Sequence, residues 1–137
     1  MSEISDLQAT IRACREKITM IQNDIVGIGN ANRTISRHVL ELQEQKVLVD
    51  DFDMTVEDTW RKNLCDTAIE YKTNVSTGFD DAVTECSNII SDLNTCIKNA
   101  NDEIEKLKNR ISECERRIEA IRAEEERRRR EEARKRG

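Results

Sequence analysis

From Ile4 onward, apolar residues recur at alternating spacings of three and four: Ile4, Leu7, Ile11, Cys14, Ile18, Ile21, Ile25 and Ile28. This is a heptad seam with Ile4 at position a and Leu7 at position d. The same frame runs on through Ile35, Val39, Leu42 and Val49, and is broken at two a positions by Asn32 and Lys46. A lone helix of this length is not stable in water unless its apolar stripe is packed, so the seam demands a partner helix. The pattern predicts a first helix over about 4–49. Gly27, Gly29, Asn30 and Asn32 cluster within it, and each glycine costs about 1 kcal/mol against alanine in a helix interior. The cluster reads either as a hinge or register-fixing polar layer, a known role for Asn at an a position, or as a tolerated weak turn.

The segment Asp50-Asp51-Phe52-Asp53-Met54-Thr55 ends this pattern and predicts a turn over about 50–55. Thr55 with Asp58 three residues on has the form of a helix cap, and Glu57 and Asp58 suit the positive end of a helix dipole. A second helix is therefore predicted from about 56 to 121. Its apolar positions begin Trp60, Leu64, Ala68, Tyr71, Val75 and Phe79. A heptad then takes over: Val83, Cys86, Ile90, Leu93, Ile97, Ala100, Ile104, Leu107, Ile111, Cys114, Ile118 and Ile121. The Trp60–Val75 segment is offset from that frame by about one residue, and a local change of winding near Gly78 would absorb the offset.

Two long helices with a short connection predict an all-α fold, an elongated antiparallel two-helix hairpin of coiled-coil type. A turn centred near Thr55 makes facing residue numbers add to about 109. Asn32 then faces Ser76, Thr77 and Gly78, and Cys14 lies near Cys96. Ile4, where the first seam ends, faces about Glu105. The side chains of Leu107, Ile111, Cys114, Ile118 and Ile121 would have nothing to cover them. Burying an Ile or Leu is worth roughly 1.5–3 kcal/mol, so an exposed row of five predicts a partner-binding overhang, to be completed by helices of another protein or of a second copy.

Composition agrees with a narrow seam rather than a broad core. There is no proline, aromatic residues make up 3% and charged residues 37%, which leaves little bulk for a globular interior. The net charge is -5 and uneven: residues 1–121 carry 15 basic and 23 acidic side chains, whereas 122–137 carry 8 and 5. The acidic body argues against general nucleic-acid binding. No apolar run approaches the roughly 20 residues of a membrane span, which argues against membrane insertion. Met1–Asp6 is polar and lacks a secretion signal, an expectation of a cytoplasmic start. The five cysteines show no CxxC and no paired-histidine spacing, so neither a metal site nor a disulfide scaffold is expected. They read as small buried apolar residues in a reducing compartment.

The charged tail 122–137 has no apolar seam beyond two alanines. Glu124 with Arg128 and Glu126 with Arg130 have the spacing of helical ion pairs. It reads as a solvated, fraying single helix, with docking to an acidic partner or RNA contact as the alternatives. The one histidine, His38, has no partner for nucleophilic catalysis, and no glycine loop has phosphate-binding form. No catalytic residue and no cofactor is expected, and a hairpin has no deep pocket to exclude water. The chain therefore reads as a binding protein and not an enzyme.

One stretch is more distinctive. Thr59-Trp60-Arg61-Lys62-Asn63, then Glu70-Tyr71-Lys72, then Phe79-Asp80-Asp81-Ala82-Val83, lead into the seam from Cys86 to Ile121. With the leading heptad helix, this resembles the small helical proteins encoded beside LXG-domain toxins in type VII secretion loci of Gram-positive bacteria. The chain departs from that look in two ways. Lys62 stands where a glycine follows the Trp by two residues. No Tyr or Phe is followed four residues later by an acid, since Tyr71, Phe79 and Phe52 are followed by Val75, Val83 and Val56. The resemblance implies a cytoplasmic targeting partner of an LXG toxin, or export only inside a complex, with a second small helical protein as a further component. It makes Trp60, Tyr71 and Phe79 candidates for partner contact beside the overhang residues, with Trp60 foremost. The competing readings are a self-associating structural subunit, such as a phage or filament component, and an adaptor touching RNA through its arginine-rich tail.

Overall fold

The computed structural model describes residues 2–52 and 62–137, apart from the side chains of residues 62–64. Within them the fold is all-α, a two-helix hairpin: α1 spans Glu3–Asp51 and α2 spans Lys62–Arg136. The expected cap at Thr55, the Trp60 contact and the side chain of Leu64 lie outside the described residues. Asp50 and Asp51, expected to open the turn, close α1 instead.

The helix ends are built as backbone chemistry requires, because the terminal N–H and C=O groups of a helix lack intrahelical partners. At the start of α1 the Ser5 amide donates to Ser2 Oγ at 3.2 Å, and Glu3 and Asp6 sit in the first turn, next to the positive dipole end. The last turn of α1 has no basic residue. Lys72 of α2 supplies one, donating to the carbonyls of Asp50 at 2.7 Å and Phe52 at 2.8 Å. α2 closes on Arg134, Lys135 and Arg136, which suit its negative end.

Contacts divide the chain into two units. The first comprises 1–26 with 97–137. Here Cys14, Ile18, Ile104 and Leu107 form one buried cluster, flanked by Ile21, Ile25 and Ile111. Ile11, Cys114 and Ile118 form another, flanked by Ile4, Leu7 and Ile111. The antiparallel register is marked by Arg117 with Glu3 at 3.0 Å, Lys17 with Glu103 at 4.0 Å and Arg15 with Glu115 at 3.4 Å. Their numbers add to 120, 120 and 130, not to 109.

This overturns the expected overhang. Leu107, Cys114 and Ile118 are buried, and Ile111 and Ile121 are half-buried, within one chain. Five exposed Ile, Leu and Cys side chains would forfeit several kcal/mol of burial, so the pairing that matches the two seams end to end wins over the one the turn residues suggested. Cys14 accordingly packs with Ile104 and Leu107 and not near Cys96. The tail remains helical to Arg136 with every residue of 122–137 exposed. It carries the expected i, i+4 pairs Arg128–Glu124 and Arg130–Glu126.

The second unit comprises 27–96. Asn32 faces Asn94, and Lys46 faces Asp80, so numbers add to 126 and Asn32 does not meet Ser76–Gly78. Lys72 is level with Asp50 and Phe52, so the first ten residues of α2, 62–71, precede the level at which the described α1 ends. α2 is α-helical through Gly78, and the expected rewinding is not found. The heptad counted from Val83 at a continues backward through Phe79 (d), Ser76 (a) and Lys72 (d), all half-buried, while Tyr71 and Val75 are exposed.

Candidate protein-docking face

The two units differ in what flanks their seams. With heptad letters counted from Ile4 in α1 and Val83 in α2, the first unit carries charge at its flanks. Glu3 and Arg117, and Lys17 and Glu103, are g residues that pair across one side. Arg15 and Glu115 are e residues that pair across the other. Charged e and g positions flank the seam of a helix pair and bias its orientation.

In the second unit the g positions of α2 are Ala68, Val75, Ala82, Ile89 and Cys96, apolar in every heptad. Val75 and Ile89 keep 49% and 46% of their surface in solvent, and Cys96 is exposed. On the same side of α1, Leu48 and Phe52 are 65% and 62% exposed. With Val49, Tyr71, Lys72 and Val75 they line an open groove of about 360 Å³ whose walls are almost wholly apolar.

The seam beside this groove is polar. Lys46, at an a position, reaches Asp80 at 3.2 Å and Asp50 at 3.4 Å. Hydrogen bonding to Asp80, then to Asp50, holds its ammonium above the ordinary lysine range. A hydrogen bond from Ser76 holds the Asp50 carboxyl below the usual carboxylate range against the opposing effect of desolvation, with the Lys46 ammonium adding to the lowering. This end of the unit therefore inverts the usual pattern: Lys46, Lys72 and Ser76 lie between the helices while Leu48, Phe52, Tyr71 and Val75 face out. Higher up, Asn32 Nδ2 donates to Asn94 Oδ1 at 2.8 Å, and Asn32 Oδ1 is buried without a hydrogen-bond partner among the described residues.

The expected site residues thus separate. Tyr71, 66% exposed, joins the groove. Phe79 is half-buried at a seam position, and the overhang residues belong to the first unit's packed interior. Leu48, Phe52, Ala82 and Ile89 were not anticipated. The signal for Ala82 and Ile89 was present in the period-seven apolar row at g, which becomes charged at Glu103, Arg110 and Arg117. Among the described residues no three His, Cys, Asp or Glu side chains gather as a metal site would need, and no helix is long and apolar enough to cross a membrane. Compared with known proteins, the chain matches no family model, no curated protein and no solved structure.

Proposed function

We propose that this chain is a non-enzymatic helical adaptor that works by packing against a helix of another protein. The observation that carries the reading is the inverted end of the second unit. The polar groups between the helices are paired, but the exposed apolar side chains forgo their burial energy. A sequence that leaves Leu48, Phe52, Tyr71 and Val75 outward at one level gains only if something else covers that face. The partner side therefore moves from the stretch around Ile111–Ile121 to the Leu48, Phe52, Tyr71 and Val75 end.

The sequence resemblance supplies the class of partner: an LXG-type toxin of a type VII secretion locus, whose targeting region the adaptor would cover. On this reading the pair assembles in the cytoplasm, and any export of the adaptor happens inside the complex. The adaptor hides apolar surface and presents a composite helical surface to the secretion machinery.

Co-expression with LXG domains, followed by size measurement of the purified complex, tests it. The expected outcome is a stoichiometric heteromeric complex. A tight homodimer that ignores every LXG domain offered would instead assign the chain to self-associating structural subunits.

A further inference from the structure

We infer that the g flank of the second unit, from the Leu48–Tyr71 groove along Val75, Ala82 and Ile89, is the docking surface for a single amphipathic helix of another protein whose flanking residues are lysine or arginine. This rests on the adaptor reading above, though not on the partner's being a toxin.

Three observations carry it. The first is pattern. In α2 from Phe79 to Cys96 the a, d and g positions together make an apolar stripe wider than one neighbouring helix covers. Such a three-position stripe is the face a bundle helix shows to two neighbours, whereas a and d alone suffice for one. α1 covers the seam, and Val75 and Ile89 stay half in solvent at g. In the first unit the same g positions are charged and two of them pair with α1, so the wide stripe is confined to the second unit.

The second is charge. On a helix surface, neighbours lie three and four residues apart. Ile89 therefore has Glu85 and Asp92 beside it, and Cys96 has Asp92. Both acids are exposed. From Gly27 to Cys96 the sequence holds 13 acidic and 6 basic residues, a balance of -7. At its Ile89 end this apolar row, edged by carboxylates, complements an apolar row edged by ammonium or guanidinium groups, while the groove end carries Lys72.

The third observation disfavours two occupants that a second copy of this chain could supply. Two copies joined stripe to stripe about an axis near Ile89 would bring Glu85 and Asp92 of one against those of the other, which like-charge repulsion disfavours. The arginine-rich tail of a second copy has the right charge, but its only apolar residues are Ala123 and Ala133. Such a tail brings nothing to bury in the groove.

The test uses the full chain and two fluorescent helical peptides of about four heptads, the span from Ala68 to Cys96. Both carry leucines at a and d. One has lysines at e and g, the other glutamates. The wild-type chain is expected to bind the lysine peptide at least about tenfold tighter than the glutamate peptide. Ile89→Glu and, independently, Ala82→Glu should each weaken binding by about tenfold or more. Ser87→Glu, which adds the same charge at an exposed e position of the same helix, should leave it within about twofold. Circular dichroism melts of each variant verify that the helices persist. Equal binding of both peptides, or equal weakening by Ser87→Glu and Ile89→Glu, overturns the surface. So does a self-associated wild-type chain that Ile89→Glu dissociates. If the peptides behave as expected and no LXG domain co-purifies, the docking surface stands and the toxin assignment falls. If an LXG domain binds wild type and Ile89→Glu alike, the toxin assignment stands and this surface falls.

Discussion

Two half-buried polar residues, Asn32 and Lys46, occupy a positions of the second unit's seam. Asn32 sits at an a position, bonds Asn94 through one amide atom, and leaves Oδ1 buried and unsatisfied. An Asn at such a position lowers stability while restricting register. Asn32→Leu is therefore expected to raise unfolding free energy by about 1–2 kcal/mol, because a buried unsatisfied group is removed and Asn94 turns to water. Asn94→Ala should lower it by about 1 kcal/mol, because it orphans both ends of the Asn32 amide. Urea titration at neutral pH reads both, and opposite signs are the required result. Lys46 and Asp50 make a pH prediction. Asp50 has its carboxyl depressed in the fold, so the unfolded chain takes up the proton first. Its contribution is complete above the ordinary carboxylate range, about pH 4, and is lost as pH falls through the folded value. Lys46 is raised, so its contribution is complete below the ordinary lysine range and is lost only as pH rises above it. Stability should fall between about pH 5 and pH 3, and Asp50→Asn should flatten part of that slope, as urea midpoints across the range would reveal.

At the scale of the helices, the alternation of three and four made both seams legible, since Ile and Leu at a and d carry the periodicity without ambiguity. What the pattern hid was phase. Tyr71 and Val75 read as an offset apolar run, with Tyr71 a candidate for partner contact and the offset absorbed by rewinding near Gly78, yet α2 keeps the frame of its longer, stronger heptad and places Lys72 and Ser76 at the seam instead. Twelve consecutive apolar seam positions from Val83 to Ile121 outweigh a short offset run, and Asp50 and the α1 carbonyls give the displaced polar groups partners. The glycines offer a test between the two readings of the mid-helix cluster. A methyl group added at Gly27, Gly29 or Gly78 meets no atom within 4 Å, so no close approach requires glycine there. Each of Gly27→Ala, Gly29→Ala and Gly78→Ala should stabilise by about 1 kcal/mol through helix propensity alone. If the cluster is only a weak turn, partner binding by the Gly27→Ala/Gly29→Ala chain will equal that of wild type. A hinge would show as a loss of binding in spite of higher stability.

At the scale of the whole molecule, each unit can be judged on its own rim. The first has charged pairs along both flanks of a packed seam and the second has carboxylates edging an apolar row. The fold-back point was the part least legible in the sequence. Asp50, Asp51 and Thr55 carry strong local turn and cap signals, but register is set by long-range matching of two apolar rows, which local signals do not report. The decisive measurement lies where the two registers disagree most. If facing numbers added to 109, Ile118 would have no partner helix, and Ile118→Ala would hardly change the stability of a single chain. With Ile118 buried beside Ile11 and Cys114, the same substitution should lower unfolding free energy by about 2–4 kcal/mol. Ile11→Ala should act similarly, and the double variant should fall short of the sum by more than about 0.5 kcal/mol, because residues in contact couple. Ile118→Ala and Ile11→Ala effects that add without coupling would break the pairing of α1 with the end of α2, restore the overhang, and return the search for a partner surface to Leu107–Ile121.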